Sequence, residues 1–282
     1  MERFKMTETA GIIGDPVSHS LSPAIHNAAY EALGLDWHYC AYRVEKGNVE
    51  AALKGAVALS FRGLSVTMPH KHSVYLLADK KSDTAKRLMS ANTIVFSNGE
   101  IIAESTDGQG LLDDILDWGF IPVGKKIVIL GNGGAAKAAL LALTNAGAAE
   151  VVVLGRRQDA AEGILELAEG PVGYGLFNQI DAHRDADLFI NATPIGMGGD
   201  ADLESSELNV LKNIFLDRHW VVDMIYAPLE TPIMKVARGC GAKVRNGLGM
   251  LIHQAAIQFY IWTGFEPPLQ VMWEAVLASI KE

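Results

Sequence analysis

The segment from residue 121 to residue 157 constrains the fold of this chain more than any other. An apolar run (KIVIL) is followed by a glycine-rich turn, an Ala- and Leu-rich stretch that ends at Gly147, and a second apolar run (EVVVLG). Short apolar runs bounded by turns predict buried strands, and the longer stretch between them predicts a helix. Strand, helix and strand in this order form a βαβ unit, whose two strands are parallel. The chain therefore contains an α/β domain with a parallel sheet.

The first half of the chain also alternates short β-like runs with helical ones. They follow in the order TAGIIG, PAIHNAAYEALG, WHYCAYRV, KGNVEAALKGAVAL and FRGLSVT. NTIVFSNGEIIAEST predicts instead two strands joined by a tight turn at Asn98 and Gly99. Because a hairpin at this point suggests the edge of a sheet, we expect a domain to end there. Further strands are predicted at DLFINATP, WVVDMIY and AKVRN, and a long apolar helix at GLGMLIHQAAIQFYIWTG.

Composition limits the class of protein. The chain has 282 residues, 49% of them hydrophobic and 20% charged, which is the balance of a globular protein with two modest domains or one large one. The 24 Lys and Arg residues against 33 Asp and Glu give a net charge of −9. Without a run of basic residues the chain lacks the positive field that a phosphate backbone requires, so we expect no nucleic acid partner.

Cysteine content and hydropathy indicate the cellular compartment. Cys40 and Cys240 are far apart in sequence and have no metal-type spacing, so we interpret them as small buried residues. The polar N-terminus does not match a signal peptide, and no segment approaches the roughly 18 apolar residues of a membrane span. We therefore expect a cytoplasmic protein with no membrane partner.

The glycine-rich turn carries the first functional pattern. It matches GxGxxG with alanine in the third glycine's place, and it stands between a strand and a helix. Glycines let the backbone approach a pyrophosphate closely, and the positive end of the helix attracts its charge. The pattern predicts a Rossmann dinucleotide-binding domain. Its residues are Gly131, Asn132, Gly133, Gly134, Ala135 and Ala136.

The end of the second strand indicates which dinucleotide binds. A carboxylate at this position would accept from a ribose 2′-hydroxyl and repel a 2′-phosphate. Here Gly155 is followed by Arg156 and Arg157, whose guanidinium groups suit a phosphate. We therefore predict NADP. Asp159, two residues further on, leaves NAD as an alternative.

Four polar clusters in the first half lie where strands are predicted to end. Ligands bind at that edge of an open α/β sheet. Each cluster alone has an ordinary structural explanation; Ser22 before Pro23, for example, is a good helix N-cap. The clusters span residues 14–23, 63–71, 90–93 and 105–108.

Taken together, these motifs resemble the shikimate dehydrogenase family over essentially the whole chain. The family's GxPxxHSxSPxxHN is matched from Gly14 to Asn27, and its GxNVTxPxK from Gly63 to Lys71, except that Ser65 stands where Asn is usual. Six further matches are Asn92-Thr93, residues 105–108, the GxGGA of 131–135, and residues 191–194, 223–228 and 247–254.

The resemblance implies a role for individual residues. Lys71 would be catalytic, with Asp107 as its partner. The residues implied to hold substrate are Ser20, Ser22, Thr67, Asn92, Asp107, Tyr226 and Gln254. Those implied to contact the dinucleotide are Gly131, Asn132, Gly133, Gly134, Ala135, Gly155, Arg156, Arg157, Asp83, Met224 and Gly247.

The resemblance also implies an architecture and a reaction. Residues 1–107, with the helices of 248–282 returning to them, would form an α/β substrate domain, and residues 108–247 the Rossmann NADP domain. The reaction would be the reversible reduction of 3-dehydroshikimate to shikimate, with Lys71 donating the proton and Asp107 holding its ammonium group. A quinate/shikimate dehydrogenase using NAD and a catalytically silent metabolite sensor are alternatives.

Ser65 and Ser105 depart from the family pattern. Ser65 and Ser105 are shorter than the usual Asn, so we expect a looser substrate scope. His70 and His72 flank Lys71, but alternate helix positions point to different faces, and we predict no metal site. A homodimer is a candidate assembly.

Overall fold

The computed structural model describes residues 7–197 and 205–280. The chain divides into two compact units. The first comprises the residues up to Thr106 together with those from Ile252 onward, and the second runs from Asp107 to Leu251. Each unit is built around its own six-stranded sheet, so the predicted α/β fold class is confirmed.

The first unit contains six strands and the helices that cover them. The strands are β1 (Glu8–Gly14), β2 (Trp37–Arg43), β3 (Gly63–Val66), β4 (Lys80–Lys81), β5 (Thr93–Ser97) and β6 (Glu100–Glu104). The helices are α1 (Ser22–Ala32), α2 (Val49–Ala58), α3 (Lys71–Leu77), α4 (Asp83–Leu88), the part of α10 (Leu248–Thr263) from Ile252 onward, and α11 (Leu269–Ser279).

The first sheet has the order β2-β1-β3-β5-β6-β4. β1 is parallel to both β2 and β3, whereas β5 is antiparallel to β3 and to β6. The predicted hairpin is confirmed: Asn98 and Gly99 have φ of 53° and 80°, the two positive values that a tight type I′ turn requires. Leu53, Leu64 and Ile94 are among the fully buried side chains of its core.

This topology brings the predicted polar clusters to one end of the first sheet, where β1 and β3 have their carboxyl ends. The chain leaves β1 and β3 at their carboxyl ends, which are neighbours because Ile13 pairs with Val66. Since β5 runs the other way, its first residue, Thr93, pairs with Ser65 of β3 and with Glu104 near the exit of β6. All four clusters therefore lie at the same end of the sheet, and the strand order reverses between β1 and β3, the position at which open α/β sheets bind ligands.

The second unit is a parallel sheet with helices. Its strands are β7 (Lys126–Leu130), β8 (Glu150–Gly155), β9 (Val172–Leu176), β10 (Leu188–Asn191), β11 (Trp220–Asp223) and β12 (Lys243–Arg245). Its helices are α5 (Asp107–Asp117), α6 (Gly134–Asn145), α7 (Ala161–Leu165), α8 (Ser205–Ile214), α9 (Pro232–Gly239) and the first turn of α10.

The second sheet has the Rossmann strand order. The order is β9-β8-β7-β10-β11-β12, and every pairing is parallel. Apolar side chains of these strands, among them Leu130, Leu154 and Phe189, are fully buried in its core. As predicted, α6 ends before Gly147, whose φ of 85° stops a helix. The predicted parallel α/β domain is therefore confirmed.

The cysteines differ from expectation. Cys40 and Cys240 are free thiols, as their spacing indicated, but both are half-buried and not fully enclosed. Cys40 lies on β2, which pairs only with β1 within the part of the chain described, so it sits at a sheet edge where burial is incomplete.

Candidate active site

The loop after β1 places two serines at the start of α1. Ser20 Oγ accepts from the backbone N–H of Ser22 at 3.2 Å, and Ser22 is 3% exposed. The predicted N-cap role of Ser22 is wrong: Leu21 occupies the cap position, and Ser22 is already helical. The Ser20 hydroxyl instead serves an N–H group that the first helical turn leaves unpaired.

The loop after β3 carries Thr67 and Lys71 and is tied to the loop after β1. Thr67 N donates to Ile13 O at 3.0 Å, and Asp15 N donates to Met68 O at 3.0 Å. Lys71 is half-buried and is the first residue of α3. These bonds hold the serine loop and the lysine loop side by side.

Asn92 connects the remaining members of the site in the first unit. Ala91 N donates to Lys71 O at 3.0 Å, so Asn92 lies next to the lysine's backbone. Its Oδ1 accepts from Thr106 N at 2.7 Å, and its Nδ2 donates to Thr106 Oγ1 at 2.9 Å and to Gln254 Oε1 at 3.3 Å. Asn92, Gln254 and Lys71 are thus brought together, and Asp107 follows Thr106 directly along the chain.

Thr106 is a residue of this site that sequence reasoning did not single out. Its position between Ser105 and Asp107, inside a family motif, was the available signal. It is 2% exposed and uses both its backbone N–H and its hydroxyl on Asn92. Its structural role is to fix the chain at the exit of β6.

The glycine-rich loop in the second unit fits a dinucleotide. Gly131 has a φ of 106°, and a Cβ there would lie 3.0 Å from Ala192 O, so a side chain is both strained and crowded. Gly133 and Gly134 are exposed, and a Cβ on either would meet no atom within 4 Å. Gly133 caps α6 without a side chain, which leaves the helix N-terminus open to a pyrophosphate.

The end of β8 presents the two arginines. Gly155 is buried, and a Cβ there would overlap the hydroxyl of Tyr174, so a side chain does not fit at this position. That hydroxyl donates to Arg157 O at 2.5 Å and lies 3.4 Å from Asn132 Nδ2, so it joins the arginine segment to the glycine loop. Sequence reasoning missed Tyr174, whose position on the neighbouring strand β9 depends on sheet order. Arg156 is exposed.

Asp223 organises the segment that contains Met224 and Tyr226. Its buried carboxylate accepts from Asn191 Nδ2 at 2.9 Å, Ile225 N at 3.0 Å and Thr231 Oγ1 at 2.5 Å. Burial raises the pKa of Asp223 above its ordinary value, and these three donors oppose the rise. The turn after β11 is therefore held in one conformation.

Gly247 packs against this turn. A Cβ on Gly247 would overlap the carbonyl of Met224, and Gly247 N donates to Ile225 O at 3.0 Å. The structure thus brings Met224 and Gly247 into contact and leaves both Met224 and Tyr226 half-buried. Burial raises the pKa of the Tyr226 phenol, so it remains a hydrogen-bond donor.

Asp83 and the histidines have local roles. Asp83 is exposed and pairs with Lys86 at 2.9 Å on the same helix, a contact that lowers the pKa of its carboxyl and adds no support for a cofactor-side role. His70 Nε2 lies 2.6 Å from Val44 O, and His72 Nδ1 lies 2.8 Å from Met89 O.

Two absences hold for residues 7–197 and 205–280. No three His, Cys, Asp or Glu side chains there are grouped closely enough to bind a metal ion. Within the same residues, no helix combines the length and the hydropathy needed to cross a membrane.

Comparison with known proteins places the chain in a family. The model of the shikimate dehydrogenase substrate binding domain matches residues 12–94, and that of the shikimate 5′-dehydrogenase C-terminal domain matches residues 247–277. The NADP(+) shikimate dehydrogenase of Geobacter metallireducens is 37% identical over 98% of both chains.

Solved structures agree. A shikimate dehydrogenase in complex with NADP+ superposes with a TM-score of 0.90 at 36% identity, covering 98% of this chain and 96% of its own. The enzyme of Thermus thermophilus, in complex with NADP(H) and shikimate, has a TM-score of 0.86 at 32% identity and covers 96% and 99%. The resemblance read from the motifs is confirmed, and the chain belongs to the shikimate dehydrogenase family.

Proposed function

We propose that this enzyme catalyses the reversible, NADP-dependent reduction of 3-dehydroshikimate to shikimate. The observation that carries the proposal is the hydrogen-bonded convergence of the Lys71, Asn92 and Gln254 segments at one edge of the first sheet. A small polyhydroxylated acid needs several donors and acceptors in one place, and this edge offers them. The relatives' names supply the identity of that acid.

Substrate recognition is assigned to the polar groups of this edge. Ser20 and Ser22 offer hydroxyl groups beside the N-terminus of α1, a position that favours a carboxylate. Thr67, Asn92 and Gln254 offer groups that pair with ring hydroxyls. Tyr226, on the second unit, supplies a further phenol donor.

The proton transfer is assigned to Lys71 and Asp107. When bound, NADPH supplies the hydride. As negative charge grows on the carbonyl oxygen, the Lys71 ammonium group stabilises it and donates a proton from Nζ, which completes the alcohol. The Asp107 carboxylate holds the ammonium and accepts from a neighbouring substrate hydroxyl. Lys71 regains its proton from solvent.

The arginines after β8 support NADP over NAD. Arg157 lies 3.4 Å from Asp159, but both side chains are more than two-thirds exposed, so solvent screens the pair and a 2′-phosphate can replace the carboxylate. Gly133 and Gly134 leave room for the pyrophosphate, as described above. Asp159 remains the residue through which NAD could bind.

Side-by-side initial rates test the proposal. Purified protein is assayed with shikimate and with quinate, each with NADP+ and with NAD+. We expect the largest kcat/KM for shikimate with NADP+. A larger value for quinate with NAD+ would favour the quinate/shikimate alternative, and no turnover with any pair would favour a sensor.

Two further assignments belong to this proposal. We place the enzyme in the cytoplasm, where a biosynthetic dehydrogenase meets its cofactor, and we assign it a homodimeric state. Fractionation of the source cells tests the first. Light scattering of the purified protein tests the second, and a monomer mass at working concentration would exclude the dimer.

A further inference from the structure

Gln258 is a buried amide with both ends engaged. It lies on α10, one helical turn after Gln254, and is 1% exposed. Its Oε1 accepts from Ser65 Oγ at 2.6 Å, and its Nε2 donates to Thr93 Oγ1 at 2.8 Å and to Asn92 O at 3.3 Å. The Ser65 and Thr93 hydroxyls could each donate or accept, but the Asn92 carbonyl only accepts, so Nε2 must face it and the amide has one satisfied orientation.

This orientation is passed on to Asn92. The Thr93 oxygen accepts from Gln258, and its single hydrogen is donated to Asn92 Oδ1 at 3.0 Å, which is closer than Thr106 Oγ1 at 3.3 Å. A flipped Asn92 would set its NH₂ group against Thr106 N, which also donates to this atom. The amide nitrogen of Asn92 therefore faces Thr106 Oγ1 and Gln254 Oε1.

The other end of the chain of hydrogen bonds is equally defined. Tyr39 Oη donates to Ser65 Oγ at 2.6 Å, which directs the serine hydrogen to Gln258. Tyr39 stacks on His26 with ring centroids 4.3 Å apart. Burial raises the pKa of Tyr39 and lowers that of His26 to about 3, so both rings are neutral at working pH. The network is uncharged and points in one direction, towards Asn92.

Ser65 is a member of this hydrogen-bond network. It is 4% exposed, and its hydroxyl is fully used by Tyr39 and Gln258. The Ser65 side chain ends in a hydroxyl group and carries no amide, whereas Gln258 brings an amide to this position from α10. In this chain an amide reaches β3 from α10, whereas the family pattern has its Asn on β3 itself.

We propose that Gln258 is a positioning residue for the substrate site, which orients the Asn92 amide through Thr93 and forms with Ser65 the functional substitute for a single Asn. The inference rests on the proposed function, in which Asn92 holds a substrate hydroxyl. Without Gln258, the Thr93 hydrogen can turn away and the Asn92 amide loses one of the bonds that fix its orientation. Losing this bond weakens the binding of substrate and does not change the binding of the dinucleotide.

Kinetics of Gln258→Met test the proposal. Methionine keeps the length of the side chain and removes both hydrogen-bonding ends. Trp262→Phe is the matched control, because Trp262 Nε1 donates from the same helix to Ile94 O at 3.1 Å, two residues beyond Asn92. We expect Gln258→Met to raise the KM for shikimate about tenfold, the effect of one lost oriented hydrogen bond, with the KM for NADP+ unchanged. Both variants should lower Tm, and Trp262→Phe should leave both KM values unchanged.

A double variant makes the test sharper. Ser65→Ala should raise the KM for shikimate less than Gln258→Met, and Ser65→Ala with Gln258→Met should be no worse than Gln258→Met alone, since both act through one amide. If Gln258→Met lowers Tm but leaves the KM for shikimate within about twofold of wild type, Gln258 is only structural and the inference is overturned. If Gln258→Met does not fold, the KM of Ser65→Ala for shikimate is judged by the same twofold criterion.

Measurements on wild-type protein distinguish a failure of this inference from a failure of the proposed function. Binding of shikimate is measured by calorimetry beside the assay. If wild type binds shikimate without oxidising it, the proposed function fails, and the ratio of Kd values between Gln258→Met and wild type decides the inference. If wild type does not bind shikimate at all, both fail together.

Discussion

Arg245 Nη2 lies 2.6 Å from Oδ1 of Asp114, a carboxylate that is completely buried. Asp114 is on α5, and a Cβ on Gly249 in the first turn of α10 would overlap the same carboxylate. The ion pair therefore occupies the space beside the helix that follows Gly247. Placing a carboxylate near a helix N-terminus is favourable, but removing it from water is costly.

The stability of the protein should depend on pH through Asp114. Burial, opposed by Arg245, raises the pKa of this carboxyl from 3.8 to about 6. The native state therefore binds the proton more tightly than the unfolded state, so the destabilisation by the charged form is complete above pH 6 and is relieved as pH falls from about 6 to about 4. Its size is up to roughly 3 kcal/mol.

Urea unfolding of wild type and Asp114→Asn between pH 4 and 7 measures this. We expect the free energy of unfolding of wild type, relative to that of the variant, to increase as pH falls through this window. A difference that is constant with pH would show that Asp114 titrates normally.

Gly249→Ala should destabilise the second unit. The added methyl group meets the Asp114 carboxylate, and overpacking of this kind costs roughly 1–3 kcal/mol. Gly163→Ala is the matched control, because Gly163 is also helical and a Cβ there meets nothing within 4 Å. It should be neutral or stabilise by up to about 1 kcal/mol. Thermal unfolding of both variants measures the difference. Equal Tm values would contradict the close approach of Gly249 to the Asp114 carboxylate.

Lys71→Ala should lose turnover. Removing a positioned proton donor lowers kcat by about 10² to 10⁴, with shikimate binding less affected. Lys46→Ala, at an exposed loop position, is the control and should match wild type. Steady-state assays with NADP+ measure both, and a Lys71→Ala variant that keeps nearly full kcat would refute the assignment.

Replacing Arg156 and Arg157 together by Ala should change cofactor preference. Each guanidinium lost from a phosphate removes about 1.5–3 kcal/mol, so the KM for NADP+ should rise at least tenfold. The KM for NAD+, which has no 2′-phosphate, should change little. An equal rise in KM for both cofactors would mean that the arginines support the fold and do not bind the 2′-phosphate.

Local sequence patterns determine part of the structure. The glycine turn at 131–134 lies between a strand and a helix, as its pattern predicted, because a βαβ turn with this spacing has few alternatives. The hairpin at Asn98 and Gly99 followed from turn chemistry. The cap position at Ser22 was wrong by one residue, since helix ends depend on loop contacts that the pattern does not contain.

The supporting residues could not be predicted from local sequence. Thr106, Tyr174 and Gln258 act across strands or between a helix and a strand, and their partners are 14 to 193 residues away. Such contacts exist only after the sheet order is set. The partners of Ser65 could not be predicted either, because Tyr39 and Gln258 come from β2 and α10.

The central claim is that the edge of the first sheet binds shikimate for oxidation by NADP+. Its most direct measurement is the formation of NADPH by the purified wild-type protein in the presence of shikimate, with the product identified by mass. We expect NADPH to form at a rate that saturates with shikimate concentration, and the product to be two hydrogens lighter than shikimate. Tight binding of NADP+ with no NADPH formed from shikimate would contradict it.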